Sequence, residues 1–387
     1  MIRNRIIRLV LILSLLFAES SCRKEMDVST PTNNLQSFDA IFKSYWTQMS
    51  TNYVYWDIDT TNWDNVYKKY QPLFANLKTN NNDDLNTAFS YFESITQGIT
   101  DGHYTINFNL MGLSGRYIYP AATRKVAAKQ FHTPYNYIAI DTGYLDKGFK
   151  TGYFITSDNK RLQVTSGLIN NQILYFNCNL FSLKEAFTSQ EKNSAAETLS
   201  YFFNLLKSKK SLLTAVVVDV RNNPGGNIED LNFFVGHFID KRLNFGYTRY
   251  KNGSGRKNYT PWISAAINPD QDGRSISIPI IVLTDHFTVS LAEAAAMALR
   301  CLPNVSTIGE QTWGATGPIT NYGVYNDGSF EIHGVLSVYT SSAAFKYIDG
   351  KMYEGIGFPP DLQVTTDPGN FVNGHDDILD KALQTVR

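Results

Sequence analysis

Apolar residues recur at helical spacing through the first part of the chain. Phe38, Ile41, Phe42, Tyr45 and Trp46 form one set. Trp63, Val66, Tyr67, Tyr70 and Phe74 form a second, and Leu85, Phe89, Tyr91, Phe92 and Ile95 a third. Steps of three and four put each set on one face of a helix. Three amphipathic helices joined by polar loops are predicted, an N-terminal bundle over residues 36–103. Beyond it the runs shorten. Residues 104–108, 137–140, 152–155 and 161–164 read as brief strands among turn signals, predicting a small β-module over 104–167. From 168 to 387 strand and helix signals alternate. The apolar runs at 172–181, 215–219, 279–283 and 305–309 suit buried strands, and the alanine-rich stretch 291–302 suits a helix. The fold class is therefore α/β (α+β).

Three segments of this core carry candidate chemistry. In the first, Ser290 stands where the strand 279–283 turns into the helix 291–302. A helix start aims unpaired N–H groups and the positive end of its dipole at any oxyanion formed there. Glu293, three residues on, also completes a capping box with Ser290, so an ordinary helix cap fits the same residues. In the second, a β-branched run ends in Asp219, Arg221 and the turn Pro224-Gly225-Gly226. Glycines there let bare backbone approach a ligand. Asp219 and Arg221 are read as structural partners holding that loop. The third, residues 353–364, sets Glu354 beside glycines ahead of a proline-stiffened strand entry.

Taken in order, Asp101-Gly102-His103, the segment 219–226, the serine turn, residues 308–317 and residues 354–364 resemble the carboxyl-terminal processing peptidases. Their relatives, the tricorn-type serine peptidases and interphotoreceptor-retinoid-binding-protein domains, share these features. The resemblance implies a crotonase/ClpP-like catalytic core behind the helical bundle. It aligns Ser290 with the nucleophile. The lysine of the processing branch's Ser–Lys dyad has no counterpart, because Ala315 occupies that position. The tricorn-type branch uses a histidine and a glutamate, similar to His103 and Glu354, although Gly102 replaces that branch's serine before the histidine. The implied activity is serine-type endopeptidase action on a peptide or protein. Ser290 would be the nucleophile, His103 the general base and Glu354 the carboxylate orienting it. Family members commonly hold a PDZ domain near 104–167, and no clear one is legible here.

The chemistry is consistent with that assignment. A serine hydroxyl needs an adjacent base near neutral pH, and a carboxylate can fix the imidazole's tautomer. Backbone N–H groups of Gly225, Gly226 and Leu291 are the expected oxyanion donors. His286, four residues before Ser290, is a rival base. His132, His237, His333 and His375 lack ligand-like spacing in sequence, so neither a metal nor another cofactor is expected. A catalytically inactive ligand- or peptide-binding protein on the same fold, or an esterase or amidase, shares the same residues.

Composition adds an address. Arg3, Arg5 and Arg8 precede an apolar stretch, residues 9–17, that ends in small residues before Cys22. Nine residues are too few to span a bilayer but fit a signal-peptide core. The stretch resembles a bacterial lipoprotein signal over 1–22 with Cys22 acylated, followed by a polar tether over 23–35. An extracytoplasmic, membrane-anchored protein on the periplasmic or cell-surface face is expected. Cys178 and Cys301 read as small core residues, not a disulfide framework. The 35 basic and 35 acidic residues balance, and no basic stripe appears, so nucleic acid is an unlikely partner.

Overall fold

The computed structural model describes residues 37–128, 132–208, 212–320, 326 and 328–386. The signal and anchor expected at 1–22, Cys22 and the tether 23–35 lie outside them. No helix among the described residues is long and apolar enough to cross a membrane.

The three N-terminal helices form at α1 (Phe38–Asn52), α2 (Trp63–Ala75) and α3 (Asn82–Thr96). Each starts at a side-chain cap, Ser37, Asn62 and Asn81, which accepts from backbone N–H groups of the first turn. Their apolar faces meet in an aromatic core. Phe42 stacks on Phe74 at 4.7 Å between ring centroids, and Tyr45 meets Phe92 edge-on at 5.1 Å. Tyr45 also donates to or accepts from the buried Tyr104 hydroxyl at 2.7 Å, which ties the bundle to the strand leaving it.

Residues 104–167, expected to be a self-contained β-module, are shared between two sheets. The strands β1 (Thr105–Phe108) and β2 (Tyr117–Ile118) belong to a four-stranded sheet with β11 (Phe330–Ile332) and β12 (Leu336–Tyr339), in the order β11-β12-β1-β2. The strands β3 (Lys150–Ile155) and β4 (Arg161–Ile169) instead extend the central sheet. The run at 137–140, expected as a strand, is the short helix α5 (Tyr137–Asp141), following α4 (Pro120–Val126). Four apolar-rich residues carry too little pattern to separate the two periods.

The central sheet has seven strands. Added to β3 and β4 are β5 (Ile173–Cys178), β6 (Ala215–Asp219), β9 (Ile280–Thr284), β10 (Val305–Gly309) and β14 (Leu362–Gln363), in the order β14-β10-β9-β6-β5-β4-β3. Neighbours from β14 to β5 run parallel, while β4 and β3 pair antiparallel. Every residue of β5, β6 and β9 is buried, as continuous β-branched runs in a covered parallel sheet should be. One face is covered by α7 (Ser194–Lys207), α8 (Glu229–Gly236) and α9 (Leu291–Arg300). The C-terminal helix α11 (Asp377–Thr385) buries Ile378, Leu379, Ala382 and Leu383 against the other. A three-stranded sheet, β13 (Ala343–Tyr347), β7 (Leu243–Tyr250) and β8 (Ile263–Ile267), flanks the core.

The Asp219–Arg221 pair acts structurally. Arg221 donates to Asp219 through Nε at 2.9 Å and through a terminal nitrogen at 2.6 Å. It also reaches Asp141 at 2.9 Å and Asp376 at 2.7 Å, all with fully buried side chains. Its guanidinium lies over the Tyr137 ring, 3.8 Å from the centroid. One cation thereby joins β6, α5 and the start of α11.

Candidate active site

Because β6, β9 and β10 are adjacent and parallel, the loops leaving their C-terminal ends crowd together. That edge is where open α/β sheets hold ligands. The β6 loop brings Asn223 to Gly226, the β9 loop brings Ser290, and the β10 loop brings residues 310–317. Val289 N–H donates to the Asn223 carbonyl at 2.9 Å, which fastens the first two loops together.

Ser290 adopts φ 58° and ψ −120°. That conformation is strained for an L-residue, by roughly 1–3 kcal/mol, and such strain gathers at functional turns. It turns the hydroxyl out of the helix start toward His103, whose Nε2 lies 3.0 Å from Ser290 Oγ. Gly225, at φ 96°, makes the turn possible. A Cβ there would stand 2.8 Å from Ser290 Cβ and 2.7 Å from Leu291 N.

Glu293 does cap the helix start, accepting from Ser290 N–H at 3.0 Å. Its buried carboxylate also accepts from the Thr312 hydroxyl and from Gly314 and Ala315 N–H, at 2.5, 2.7 and 2.8 Å. The cap and nucleophile readings of Ser290 are therefore compatible: the Glu293 carboxylate serves the backbone, and Ser290 Oγ faces the imidazole. Ala315, at the position of the missing lysine, is held in this glycine loop and is buried.

His103 arrives from another sheet. It precedes β1, and β1 pairs with β12 in the register Thr105↔Tyr339. The residues before β1 thus face those after β12. Asp101 accepts from Ser341 N–H at 2.7 Å, Ser341 Oγ at 3.0 Å and the Thr340 hydroxyl. The same carboxylate accepts from His103 N–H at 2.8 Å. The ring's Nδ1 lies 3.4 Å from Ser341 Oγ and 3.9 Å from Asp101 Oδ1. Burial lowers the His103 pKa, and the Asp101 charge opposes that shift.

Glu354, expected to orient the imidazole, makes no hydrogen bond to it. It accepts from Gly102 N–H at 2.6 Å, Tyr55 OH at 3.0 Å, Thr316 N–H and hydroxyl at 2.8 and 2.9 Å, and Gly317 N–H at 2.8 Å. Four of these donors meet Oε2, and Gly102 N–H alone meets Oε1. The carboxylate still lies close, with one oxygen within 4.8 Å of a His103 ring nitrogen and of an Asp101 oxygen. Burial, then the Asp101 charge, push its pKa up to about 8. The hydrogen-bonded route from Nδ1 to a carboxylate runs through Ser341 to Asp101. Asp101 is legible in the sequence as part of Asp101-Gly102-His103, but Ser341, 238 residues from His103, has no local signal.

Of the expected oxyanion donors, Gly225 N–H is already committed to Asn223 Oδ1 at 2.9 Å. Gly226 and Leu291 line the same cavity as Ser290 and His103, a space of about 850 Å³. Its apolar lining includes Leu231, Phe245, Ile267, Met297, Phe345 and Trp313. The rival base His286 faces away from this pair, with Nε2 3.8 Å from Glu310.

A strained serine at a helix start, paired with an imidazole over an apolar cavity, defines a serine-hydrolase type of site. Comparison with known proteins gives its domains. Residues 175–364 match peptidase family S41, and residues 36–92 match the tricorn protease C1 domain. The chain therefore carries an S41 peptidase domain. The carboxy-terminal processing protease CtpA of Bacillus subtilis (strain 168) is 31% identical over 147 residues, 38% of this chain and 28% of that protein. A CtpA-like serine protease of Staphylococcus aureus (strain COL) is 29% identical over 164 residues, 42% of this chain and 29% of that one. The chain thus spans less than a third of the length of these curated relatives. Among solved structures, a protein from Parabacteroides merdae ATCC 43184 superposes with a TM-score of 0.70 at 23% identity, covering 90% of this chain and 96% of that one. Mature CPAF gives 0.58 at 12% identity, covering 89% and 96%. At these identities the superpositions establish the fold.

Proposed function

We propose that the chain is a serine-type endopeptidase in which Ser290 is the nucleophile and His103 the general base. The observation that carries this is the 3.0 Å approach of His103 Nε2 to Ser290 Oγ, on a serine held at positive φ. Oγ attacks the scissile carbonyl carbon while Nε2 takes its proton. The carbonyl π electrons move onto oxygen, where the N–H groups of Gly226 and Leu291 receive them. Collapse of the tetrahedral species expels the amine, which takes the proton back from His103. Water then repeats the sequence on the acyl-enzyme. The imidazolium formed in each half is stabilised by the negative charge of Asp101, relayed through Ser341. Glu354 and Glu293 hold Gly102 and the 312–317 loop around it. The apolar wall suits a substrate with an apolar side chain at the cleaved bond. The pocket-lining strand β8, at a sheet edge, offers a place for the peptide to pair as an added strand.

An active-site-directed fluorophosphonate tests this reading. The folded protein should be labelled stoichiometrically at Ser290, with labelling lost in Ser290→Ala and slowed by about 10⁴-fold in His103→Ala. Inertness of the folded wild type would favour a binding protein on this fold. The location proposed is extracytoplasmic, through an acyl anchor at Cys22, on the sequence argument alone. A mature N-terminus found by mass spectrometry at any other residue, unacylated, would remove that anchor.

A further inference from the structure

A second histidine cluster lies away from the Ser290–His103 pair, and its members are far apart in sequence. His132 Nε2 is 2.9 Å from Glu310 Oε2, and His286 Nε2 is 3.8 Å from the same oxygen. One ligating atom from each residue lies within 4.8 Å of the other two. We propose that His132, His286 and Glu310 bind a divalent transition-metal ion of the Zn²⁺ class.

The donor chemistry supports it. His132 Nδ1 donates to the Thr133 carbonyl at 2.9 Å, so Nε2 is the nitrogen that meets the carboxylate. The 2.9 Å contact needs a positive centre between the two atoms, which a proton on Nε2 supplies in the empty site and a metal ion would replace. His286 Nε2 approaches the same oxygen at 3.8 Å. Backbone partners that fix the tautomer and aim the free nitrogen inward are the usual outer support of metal-bound imidazoles. Tetrahedral zinc with bonds of 2.0–2.2 Å separates its ligand atoms by about 3.4 Å. The observed 2.9 and 3.8 Å fall on either side of that value, so shifts of about half an ångström would seat the ion.

Burial and charge agree. Glu310 is 2% exposed while both imidazole side chains are 21% exposed, so the cluster is reached from solvent through its histidines. Asp285 is fully buried beside His286, and its Oδ2 has no hydrogen-bond partner. Its charge acts on both Glu310 and His132. The donor set, two imidazoles and a carboxylate, suits zinc and not a hard oxygen-seeking cation.

The ion would fasten three separate segments: the stretch before α5, the β9 loop carrying Ser290 and the exit of β10. Phe287 lies between His132, at 5.6 Å, and Trp313, at 6.5 Å, and Trp313 lines the Ser290 cavity. Occupancy would therefore stiffen one wall of the active-site cleft.

Calorimetric titration of untagged, chelator-treated protein with ZnCl₂ tests the site. The wild type and His103→Ala should each bind one Zn²⁺ per chain. His286→Ala and His132→Ala should each weaken binding by at least about tenfold. Co²⁺ should give the visible absorption of a four-coordinate ion in the wild type and lose it in His286→Ala. Both histidines are partly exposed, so His132→Ala and His286→Ala test the ligand set from two separate segments, with far-UV circular dichroism checking that each variant folds. No zinc uptake by the wild type would overturn the proposal. So would unchanged binding by both histidine variants, or loss of binding in His103→Ala, which would move the ion to Asp101, His103 and Glu354.

Discussion

Two clusters of buried carboxylates in this molecule are solved in opposite ways. Around Arg221, three aspartates share one guanidinium, and the positive charge lies among them. Around His103, Asp101 and Glu354 have no lysine or arginine partner among the described residues and are held by backbone N–H groups and hydroxyls. The first encloses its one cation among three carboxylates, with Asp141 Oδ1 left without a hydrogen-bond partner. The second holds no such cation, so the Asp101 charge acts on His103, which on the proposed mechanism becomes cationic whenever Ser290 loses its proton. A buried carboxylate without a resident counter-charge is costly for stability and good preparation for a transient imidazolium.

Removing the cation from the closed cluster should give the largest effect. Arg221→Met leaves three buried carboxylates without a counter-charge and should cost about 3–5 kcal/mol of stability by urea unfolding. Loss below about 1 kcal/mol would mean that the aspartates neutralise one another by taking up protons. Glu354→Gln comes next. Its amide must turn an NH₂ toward donors that now point at an oxygen, leaving N–H groups of Gly102 or of Thr316 and Gly317 unpaired, at roughly 1–3 kcal/mol each. Activity should fall with stability, since Gly102 adjoins His103 and the 316–317 backbone lines the cleft. A variant as stable and active as wild type would make Glu354 dispensable to both.

Asp101→Asn is the smallest change and the most telling. His103 must be neutral to accept the Ser290 proton, so kcat/KM should collapse as pH falls through the His103 pKa, which burial sets below the ordinary 6.5. Asp101 raises that pKa, so its replacement by asparagine should move the acidic limb to still lower pH. It should also reduce the plateau rate, by roughly 1.5–3 kcal/mol of transition-state stabilisation. A residue that only braced the loop would lower the plateau and leave the limb in place.

The sequence made some of this legible and not the rest, for physical reasons. The N-terminal helices were readable because each spans three or more turns, long enough for period 3.6 to show. The segment 137–140 was not. The serine turn and the glycine loop announce themselves through local chemistry and His103 through the family resemblance, and the structure brings Ser290 and His103 together. What escaped depends on strand pairing. Ser341 reaches His103 only because β12 pairs with β1, and His132, His286 and Glu310 converge from three segments with no shared spacing. Glu354 was expected to orient the imidazole, and its hydrogen bonds go to the backbone and to the Tyr55 and Thr316 hydroxyls. A motif gives neighbourhood, and only geometry assigns partners.

The pairing of β1 with β12 has a consequence for the order of events at the ribosome. His103 emerges early and Ser290 much later, but the strand that positions His103 is completed only at Tyr339, and Asp101 gains its partners only with Thr340 and Ser341. Glu354, which fastens Gly102 to the 316–317 backbone, comes later still. A growing chain therefore carries its nucleophile for dozens of residues without a seated base. On the proposed mechanism, an enzyme able to cut unfolded polypeptides would be incompetent for as long as it is itself an unfolded polypeptide. No separate propeptide is needed for that delay, because the topology postpones the chemistry until the substrate most at risk, the nascent chain itself, has folded.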